Sequence, residues 1–377
     1  MTKVAILCAG LDSVRRGYET HQRMLFDHLS TDPGCDCDLF LFKRDGRPVP
    51  GREIVLGSPG RHSALVQSLA GWRGDSLYWE SVFFATAFVA WCRLHRMEFN
   101  RLIIIEPNVC SALRKLHRLF PGNPRLAYTH GIWDEPRHYL PFPDELHEVS
   151  ITNYQRSTAE NVMNIPIRLV PHFVPSGDRP GPATKSEMKK SLGIRTPLAL
   201  LSVGVIQRSH KRMDYLIQEA ARLPPEWTLV LCGAPAQPDL IDLARELLGD
   251  RFVHLQLPRE EIKLAYLAAD VFALTSFHEG FGIVIIEAMS HALPVVVHDT
   301  ELFRWVTQDP EVCIDLKAEG ALSRFLESHA TRSAWREEKG DRNYETVRQR
   351  YTWEAVRRDY IEIATGAPPT TDTPCAE

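Results

Sequence analysis

Nothing in the 377-residue chain approaches the ~20 consecutive apolar residues that a bilayer-spanning helix requires. The opening run, MTKVAILCAG, has an apolar core of only a few residues and no cleavage pattern after it, so it reads as a buried first strand and not as a secretory leader. An excess of either charge is also lacking: 44 Lys and Arg stand against 48 Asp and Glu, a formal net charge of −4. That balance excludes a general nucleic-acid binder and leaves anion recognition to local patches. The eight cysteines are scattered, with only Cys35 and Cys37 close together, and without the repeated pairs or interleaved histidines of a zinc site. No paired-aspartate motif suggests a magnesium site either, so the expectation is a protein with no metal and no bound cofactor, in a reducing, cytoplasmic setting. Internal repeats are absent, and only the end, GAPPTTDTPCAE (366–377), is too poor in apolar residues to fold and is expected to be disordered.

What the chain does have is alternation. Short apolar runs of strand length are separated by helical patterns, the signature of a doubly wound parallel sheet, and this happens twice. In the first half VAILCAG, DLFLF, RLIIIEP, RLAYTHG and EVSITN predict strands, with helices near 18–30, 78–96 and 111–119. In the second half LALLSVG, TLVLCGA, FVHLQL, VFALTS and LPVVVHD predict strands, with helices near 213–222, 238–248, 259–269 and 282–290. Such a length suggests two domains of comparable size. The stretch VPSGDRPGPATKSEM, rich in proline, glycine and charge, reads as the linker between them. The predicted organisation is therefore 1–173, a linker over 174–193, a second domain over 194–345 and a terminal helix over 346–365.

The densest chemical information lies in TSFHEGFGIVIIEAMSHALPVVVHD, Thr275 to Asp299. Glu279 sits in a turn with Gly280 and Gly282 at the entrance of an apolar helix, where unpaired amides welcome an anion. Glu287 follows further along that helix. Carboxylates repel phosphate but accept hydrogen bonds from vicinal hydroxyls, so the combination asks for a ligand carrying both phosphates and hydroxyls, such as a nucleotide sugar. With its paired Glu279 and Glu287, its EGFG turn, EAM helix and PVVV strand, this run resembles glycosyltransferase family 4, the retaining enzymes of the GT-B fold. The resemblance extends over nearly the whole chain. It implies a GT-B fold, two Rossmann-like doubly wound parallel-sheet domains facing a central cleft, with the terminal helix crossing back to the first domain.

Carried onto this sequence, the resemblance marks a phosphate loop in SVGVIQRSHKRMDYLIQEA. Lys211 aligns with the family's lysine. The family's arginine normally follows the glycine directly, where Val205 stands after Gly204 here; Arg208 is the replacement candidate and Arg212 the reserve. Cations there would stabilise a departing diphosphate. In the first domain, Gly17 and Glu19 precede a helix where the family carries a glycine pair, so this turn is either a donor-binding loop, with Arg15 or Arg16 beside it, or a plain helix cap. Thr129, His130 and Gly131 resemble a family turn in which the histidine holds the donor sugar; a histidine bonded to a backbone carbonyl is the alternative. Asp134, Glu135, Arg137 and His138 are acceptor-side candidates.

The implied activity is retaining, metal-independent transfer of a sugar from a nucleotide-sugar donor to the hydroxyl of a glycan, glycolipid or small-molecule acceptor. In that scheme His130, Arg208, Lys211 and Glu279 serve catalysis, while Gly17, Gly204, Gly280, Phe281, Gly282, Ile283 and Glu287 hold the donor. Two alternatives share the architecture: a nucleotide-sugar epimerase, and a non-catalytic nucleotide-sugar binder. Nucleic acid is not an expected partner. SLYWESVFFATAFVAWCRLHR, flanked by tryptophans and basic residues, poses the question of lipid contact, but a helix apolar on most sides fits a buried position better.

Overall fold

Strands rich in Val, Ile and Leu and covered on both faces pair best in parallel, with helices above and below. The computed structural model describes residues 1–11, 17–47, 52–72, 75–131, 143–159 and 164–368. Arg15, Arg16, Asp134, Glu135, Arg137, His138 and residues 369–377 lie outside the described residues.

The chain divides into two units, Met1–His172 with Val356–Glu377, and Phe173–Ala355. The first opens with β1 (Thr2–Cys8), α1 (Gly17–Thr31), β2 (Cys37–Lys43), β3 (Glu53–Val55), α2 (Ala64–Trp72) and α3 (Ser76–Leu94). It continues with β4 (Arg101–Ile104), α4 (Pro107–Lys115), β5 (Arg125–His130), β6 (Glu145–Glu148), α5 (Ile151–Ala159) and β7 (Ile167–Leu169). Its seven strands are ordered β3-β2-β1-β4-β5-β6-β7. All neighbours are parallel, Val4 pairing with Leu39 on one side and Arg101 on the other.

The second unit runs α6 (Pro182–Ser191), β8 (Leu198–Val203), α7 (Met213–Arg222), β9 (Trp227–Cys232), α8 (Asp239–Leu248), β10 (Phe252–Leu255), α9 (Ile262–Ala268) and β11 (Val271–Leu274). Then follow α10 (Ile283–Ser290), β12 (Val295–His298), α11 (Glu301–Thr307), β13 (Cys313–Ile314), α12 (Ala321–Phe325) and α13 (Ser333–Arg350). Its six strands are ordered β10-β9-β8-β11-β12-β13, again parallel throughout. The last helix, α14 (Trp353–Thr365), belongs to the first unit from Val356 onward. There the Tyr360 hydroxyl donates to the Pro171 carbonyl and accepts from His21, both at 3.0 Å.

Several expectations are corrected. EVSITN is strand only to Glu148; its ITN opens α5, because Val149 and Ser150 turn the chain and Ile151, Asn153 and Ser157 then bury at helical spacing. Pro182–Ser191, within the stretch read as linker, is a helix, started by Pro182 and rich in Lys, which the neighbouring prolines and glycines masked. The helix near 111–119 starts instead at Pro107, for the same reason. The span 346–365 is broken: α13 ends at Arg350, Tyr351 buries its ring against Trp305, and α14 begins at Trp353. Gly366 and Ala367 are bonded to Glu362 carbonyl oxygen through their amides, so the ordered chain runs past 365.

The long apolar helix α3 is a core element. Phe84, Phe88, Val89 and Cys92 are buried, and Phe88 packs edge-on to Phe42 of β2 at 4.7 Å between centroids. Among the described residues no helix is long and apolar enough to cross a membrane.

Candidate functional site

In a doubly wound sheet, the crevice forms where the strand order reverses, because the loops leaving the two strands there run to opposite faces. In the second unit the reversal lies between β8 and β11. The loop after β8 carries Lys211, and the loop after β11 carries Glu279. Lys211 Nζ donates to Glu279 Oε1 at 2.6 Å, joining two of the residues singled out from the sequence across that crevice. His210 stands beside them, its Nε2 2.8 Å from the His278 carbonyl oxygen and 3.5 Å from Glu279 Oε1.

The two loops are locked together beneath this pair. Thr275 Oγ1 donates to the Lys211 carbonyl at 2.7 Å, and Arg212 donates to the Leu316 carbonyl at 2.9 Å with its guanidinium 3.7 Å above the Phe277 ring. Arg212 itself has φ 50°, a left-handed conformation that costs a side-chain-bearing residue energy and is held by those contacts. Gly204 and Gly233 end β8 and β9, and both have positive φ. A Cβ on Gly204 would lie 3.4 Å from Lys211 Cε, and one on Gly233 would fall on the Gly204 carbonyl. The lysine stem thus crosses bare backbone.

The other side of the crevice is the start of α10. Gly282 caps it at φ 88°, where a Cβ would also press on Ile285 Cδ1 at 2.8 Å. Phe281 is buried against Tyr351 and Trp305, which anchors the turn and leaves Gly280, Gly282 and Ile283 to present backbone. The first-turn amides of a helix have no partner within it, and the helix dipole adds positive potential at that end. One turn on, Glu287 is buried with Tyr266 donating to its Oε2 at 2.9 Å and Arg259 bonded to Oε1. Burial, reinforced by the Glu287 charge, holds the Tyr266 hydroxyl well above its ordinary range, so it is a permanent donor. Burial opposes the Arg259 charge, but Glu287 more than offsets it and raises its affinity for the proton.

Arg208 is not part of the Lys211–Glu279 pair. It lies at the surface in an ion pair of 2.5 Å with Asp239, the first residue of α8, and that hydrogen bond raises its pKa. Its backbone amide is held by Gln237 Oε1 at 2.8 Å. Nor is Arg212 a ready substitute, since it is spent on holding the loops.

The first unit has a matching reversal between β1 and β4. There the amides of Ala9 and Gly10 donate to the two carboxylate oxygens of Glu106 at 2.9 and 3.3 Å. Gly17 is the first residue of α1, and Glu19 is buried against Gly10, where a Cβ would meet its Oε1 at 2.8 Å. His130, at the end of β5, is fully buried; its Nδ1 is 2.8 Å from Glu148 Oε2, and Ser157 donates to the other oxygen at 2.7 Å. A carboxylate partner therefore helps set its ring orientation.

Arg259, Tyr266 and Glu106 are not singled out from the sequence, and Thr275, though it opens the quoted run, is given no role there. Arg259 and Tyr266 lie 28 and 21 positions from Glu287, and only the return of the chain through β11 brings them to it.

Residues 184–340 match the family model for glycosyl transferases group 1. Among curated proteins, the chain is 29% identical over 201 residues to a D-inositol 3-phosphate glycosyltransferase of Corynebacterium kroppenstedtii, covering 44% of this chain and 43% of that protein. It is 26% identical over 160 residues to the lipopolysaccharide core biosynthesis glycosyltransferase LpsE of Rhizobium meliloti, covering 42% of this chain and 47% of that one. The matches thus span less than half the length of these relatives. Among solved structures, sucrose-phosphate synthase from Thermosynechococcus elongatus superposes with a TM-score of 0.78 at 19% identity, over 97% of this chain and 99% of that one. Anabaena Alr3699/HepE, solved in complex with UDP and glucose, superposes with a TM-score of 0.74 at 14% identity, over 97% of this chain and 100% of that one.

Proposed function

From a chain that has the GT-B fold and whose residues 184–340 form a group 1 glycosyl transferase domain, we propose a retaining glycosyltransferase that moves a sugar from a nucleotide-sugar donor to an acceptor hydroxyl. The observation that carries this reading is the 2.6 Å Lys211–Glu279 pair at the strand-order reversal, beside the glycine-capped start of α10. That setting joins a cation and the amides of a helix start, which suit a diphosphate, to a carboxylate, which suits sugar hydroxyls.

In the proposed reaction the α10 amides and Lys211 take up the negative charge that builds on the diphosphate as the glycosidic bond lengthens. Glu279 accepts from hydroxyls of the transferred sugar, exchanging part of its bond to Lys211 for them and orienting the reacting carbon. Glu287, aligned by Tyr266 and Arg259, accepts from the ribose hydroxyls. The transition state resembles an oxocarbenium ion, and the departing phosphate oxygen receives the acceptor's proton on the same face, so configuration is retained without a glycosyl-enzyme intermediate. Lys211 and the helix dipole supply the stabilisation that a divalent ion would otherwise give, and the reaction is proposed to be metal-independent. The reducing cytoplasm is the proposed location.

The test is release of nucleoside diphosphate from a panel of UDP-, GDP- and ADP-sugars in EDTA, with and without mixed acceptors. One donor should turn over, and Lys211→Met should lower its kcat by about 10²- to 10³-fold, the scale of losing one preorganised group at a developing charge. Glu279→Gln should fall similarly. Turnover unchanged in both variants would remove the site from the chemistry, and interconversion of donor sugars without release would establish an epimerase instead.

A further inference from the structure

A cleft opens in the first unit at the end of the sheet opposite its strand-order reversal. Its volume is about 380 Å³, at the small end of the ~300–1,000 Å³ typical of ligand sites. It lies at the amino ends of three strands: Arg125 opens β5, Asp144 precedes β6, and Ile165 and Pro166 precede β7. Arg114 and His117, from the end of α4 and the turn after it, form the facing wall. His130 stands at the other end of the six-residue β5, about 17 Å along the strand.

The walls of this cleft are fixed. Asp144 and Leu126 are joined reciprocally, the Asp144 amide donating to the Leu126 carbonyl and Asp144 Oδ2 accepting from the Leu126 amide, each at 2.8 Å. Asp144 Oδ1 accepts from Arg114 at 2.7 Å, so the carboxylate spends both oxygens inside the protein and holds that guanidinium in place. The Pro166 carbonyl accepts from the Leu146 amide at 2.9 Å, and the Leu119 carbonyl accepts from Arg93 Nε at 2.7 Å. Asn164 has φ 50°, a left-handed conformation that asparagine takes more readily than most residues.

The lining is polar and, unlike the frame, unsatisfied. Among the described residues, the side chains of His117, Asn123, Arg125 and Asn164 make no hydrogen bond or ion pair with the protein. Two guanidiniums stand against one carboxylate, which leaves the cleft positive, and Arg125 is the cation that no acid offsets. Such a set disfavours an apolar ligand and a metal cation alike. A guanidinium presents a planar fork of donors that matches phosphate, and carboxamides both donate to hydroxyls and accept from them.

We propose that this cleft binds a small phosphorylated polyol, such as a sugar phosphate, with the phosphate on Arg125, the Arg114 charge behind it, and the hydroxyls on Asn123 and Asn164. Phosphate alone would leave the carboxamides unused, and a neutral sugar would leave Arg125 unused, so the combined ligand binds more tightly than either part. Standing at the amino ends of the strands, the site is distinct from the crevices at their carboxyl ends and does not depend on the transferase reading.

Isothermal titration of the full chain with glucose 6-phosphate, inorganic phosphate and glucose, at constant ionic strength, tests the site. Glucose 6-phosphate should bind saturably, one per chain, and more tightly than the other two. Arg125 is exposed, so Arg125→Ala should fold, and it should weaken binding about tenfold or more, the scale of a charge-assisted hydrogen bond. Asn123→Ala should weaken glucose 6-phosphate and leave inorganic phosphate unaltered. Vesicles of phosphatidylinositol in phosphatidylcholine separate two sources of the same chemistry: Arg125-dependent binding to vesicles alone assigns the cleft to a lipid headgroup, and binding of the free compound assigns it to a soluble ligand. Saturable binding by neither overturns the proposal, as does inorganic phosphate binding as tightly as glucose 6-phosphate. Binding that survives Arg125→Ala and is lost in Lys211→Met overturns it too, because the anion then occupies the crevice of the second unit.

Discussion

Single atoms decide what the second unit's crevice can hold. Both oxygens of Glu287 are already engaged, by Tyr266 and Arg259, so its carboxylate plane is fixed and only its remaining lone pairs face a ligand. Tyr266→Phe removes one of those bonds while keeping the ring that stacks on His291 at 5.6 Å. With the carboxylate less well aligned toward ribose, the donor KM should rise about three- to tenfold, the scale of one hydrogen bond, with kcat nearly unchanged. Steady-state kinetics against donor concentration checks it, and an unaltered KM would detach Glu287 from donor binding. Arg208, the candidate to replace the arginine that the family carries where Val205 stands, instead pairs at the surface with Asp239 on α8.

At the level of elements, two places accept only glycine, one at the crevice and one in the packing. Gly282 sets α10 at φ 88°, and Gly282→Ala introduces both a left-handed alanine and a contact on Ile285. The substitution should cost about 1–2 kcal/mol of stability from backbone strain alone and should weaken donor binding as the helix start shifts. Thermal unfolding and donor titration read the two effects separately; a binding loss without a lowered Tm would point to the ligand contact and not the turn. Gly340 has no place in the chemistry, but it lets α13 lie on the segment after α10, where a Cβ would strike the Ala292 carbonyl. Gly340→Ala should therefore lower Tm, by several degrees for ~1–3 kcal/mol of overpacking, with the donor KM of the surviving folded protein little changed.

For the molecule as a whole, acid is the expected weakness of the first unit. His21 and His172 are buried with ring centroids 4.2 Å apart. Burial lowers His172 from 6.5 to about 3, and burial together with His172 pulls His21 well below its ordinary value. Each is neutral when folded and takes a proton when unfolded, so the unfolded state gains protons first as pH falls. Stability is therefore full above pH 6.5 and declines as pH drops from 6.5 toward 3, by about 2 kcal/mol at pH 5 from His172, with His21 acting in the same direction. Glu145 reinforces the trend lower down. Burial opposes ionisation there, but His147 and Arg101 prevail and hold it at about 2, so its contribution is present above 4.5 and lost between 4.5 and 2. Urea unfolding at pH 7 and pH 5 measures the slope, and His172→Gln should flatten it. An identical slope in that variant would refute the assignment. Because His21 bonds to Tyr360, α14 should be among the first elements to loosen.

The alternation of β-branched runs with amphipathic segments was enough to determine two parallel-sheet units, since burial on both faces and a period switch are local properties of sequence. Glu279, the glycine turn and Glu287 were legible for the same reason: they are close in sequence, and Gly282 marks its own positive φ. Short strands such as Glu53–Val55 and Ile167–Leu169, and the helix inside the apparent linker, were not, because three residues carry too little pattern and prolines and glycines suggest loops. Tertiary structure alone decided the partners. Lys211 and Glu279 stand 68 positions apart and meet only because β8 and β11 are neighbours although β9 and β10 intervene in the chain, while Arg259 and Tyr266 reach Glu287 through the chain's return in β11. An ion pair or hydrogen bond depends on atoms brought within about 3 Å, and no one-dimensional pattern encodes which distant segments the sheet order will set side by side.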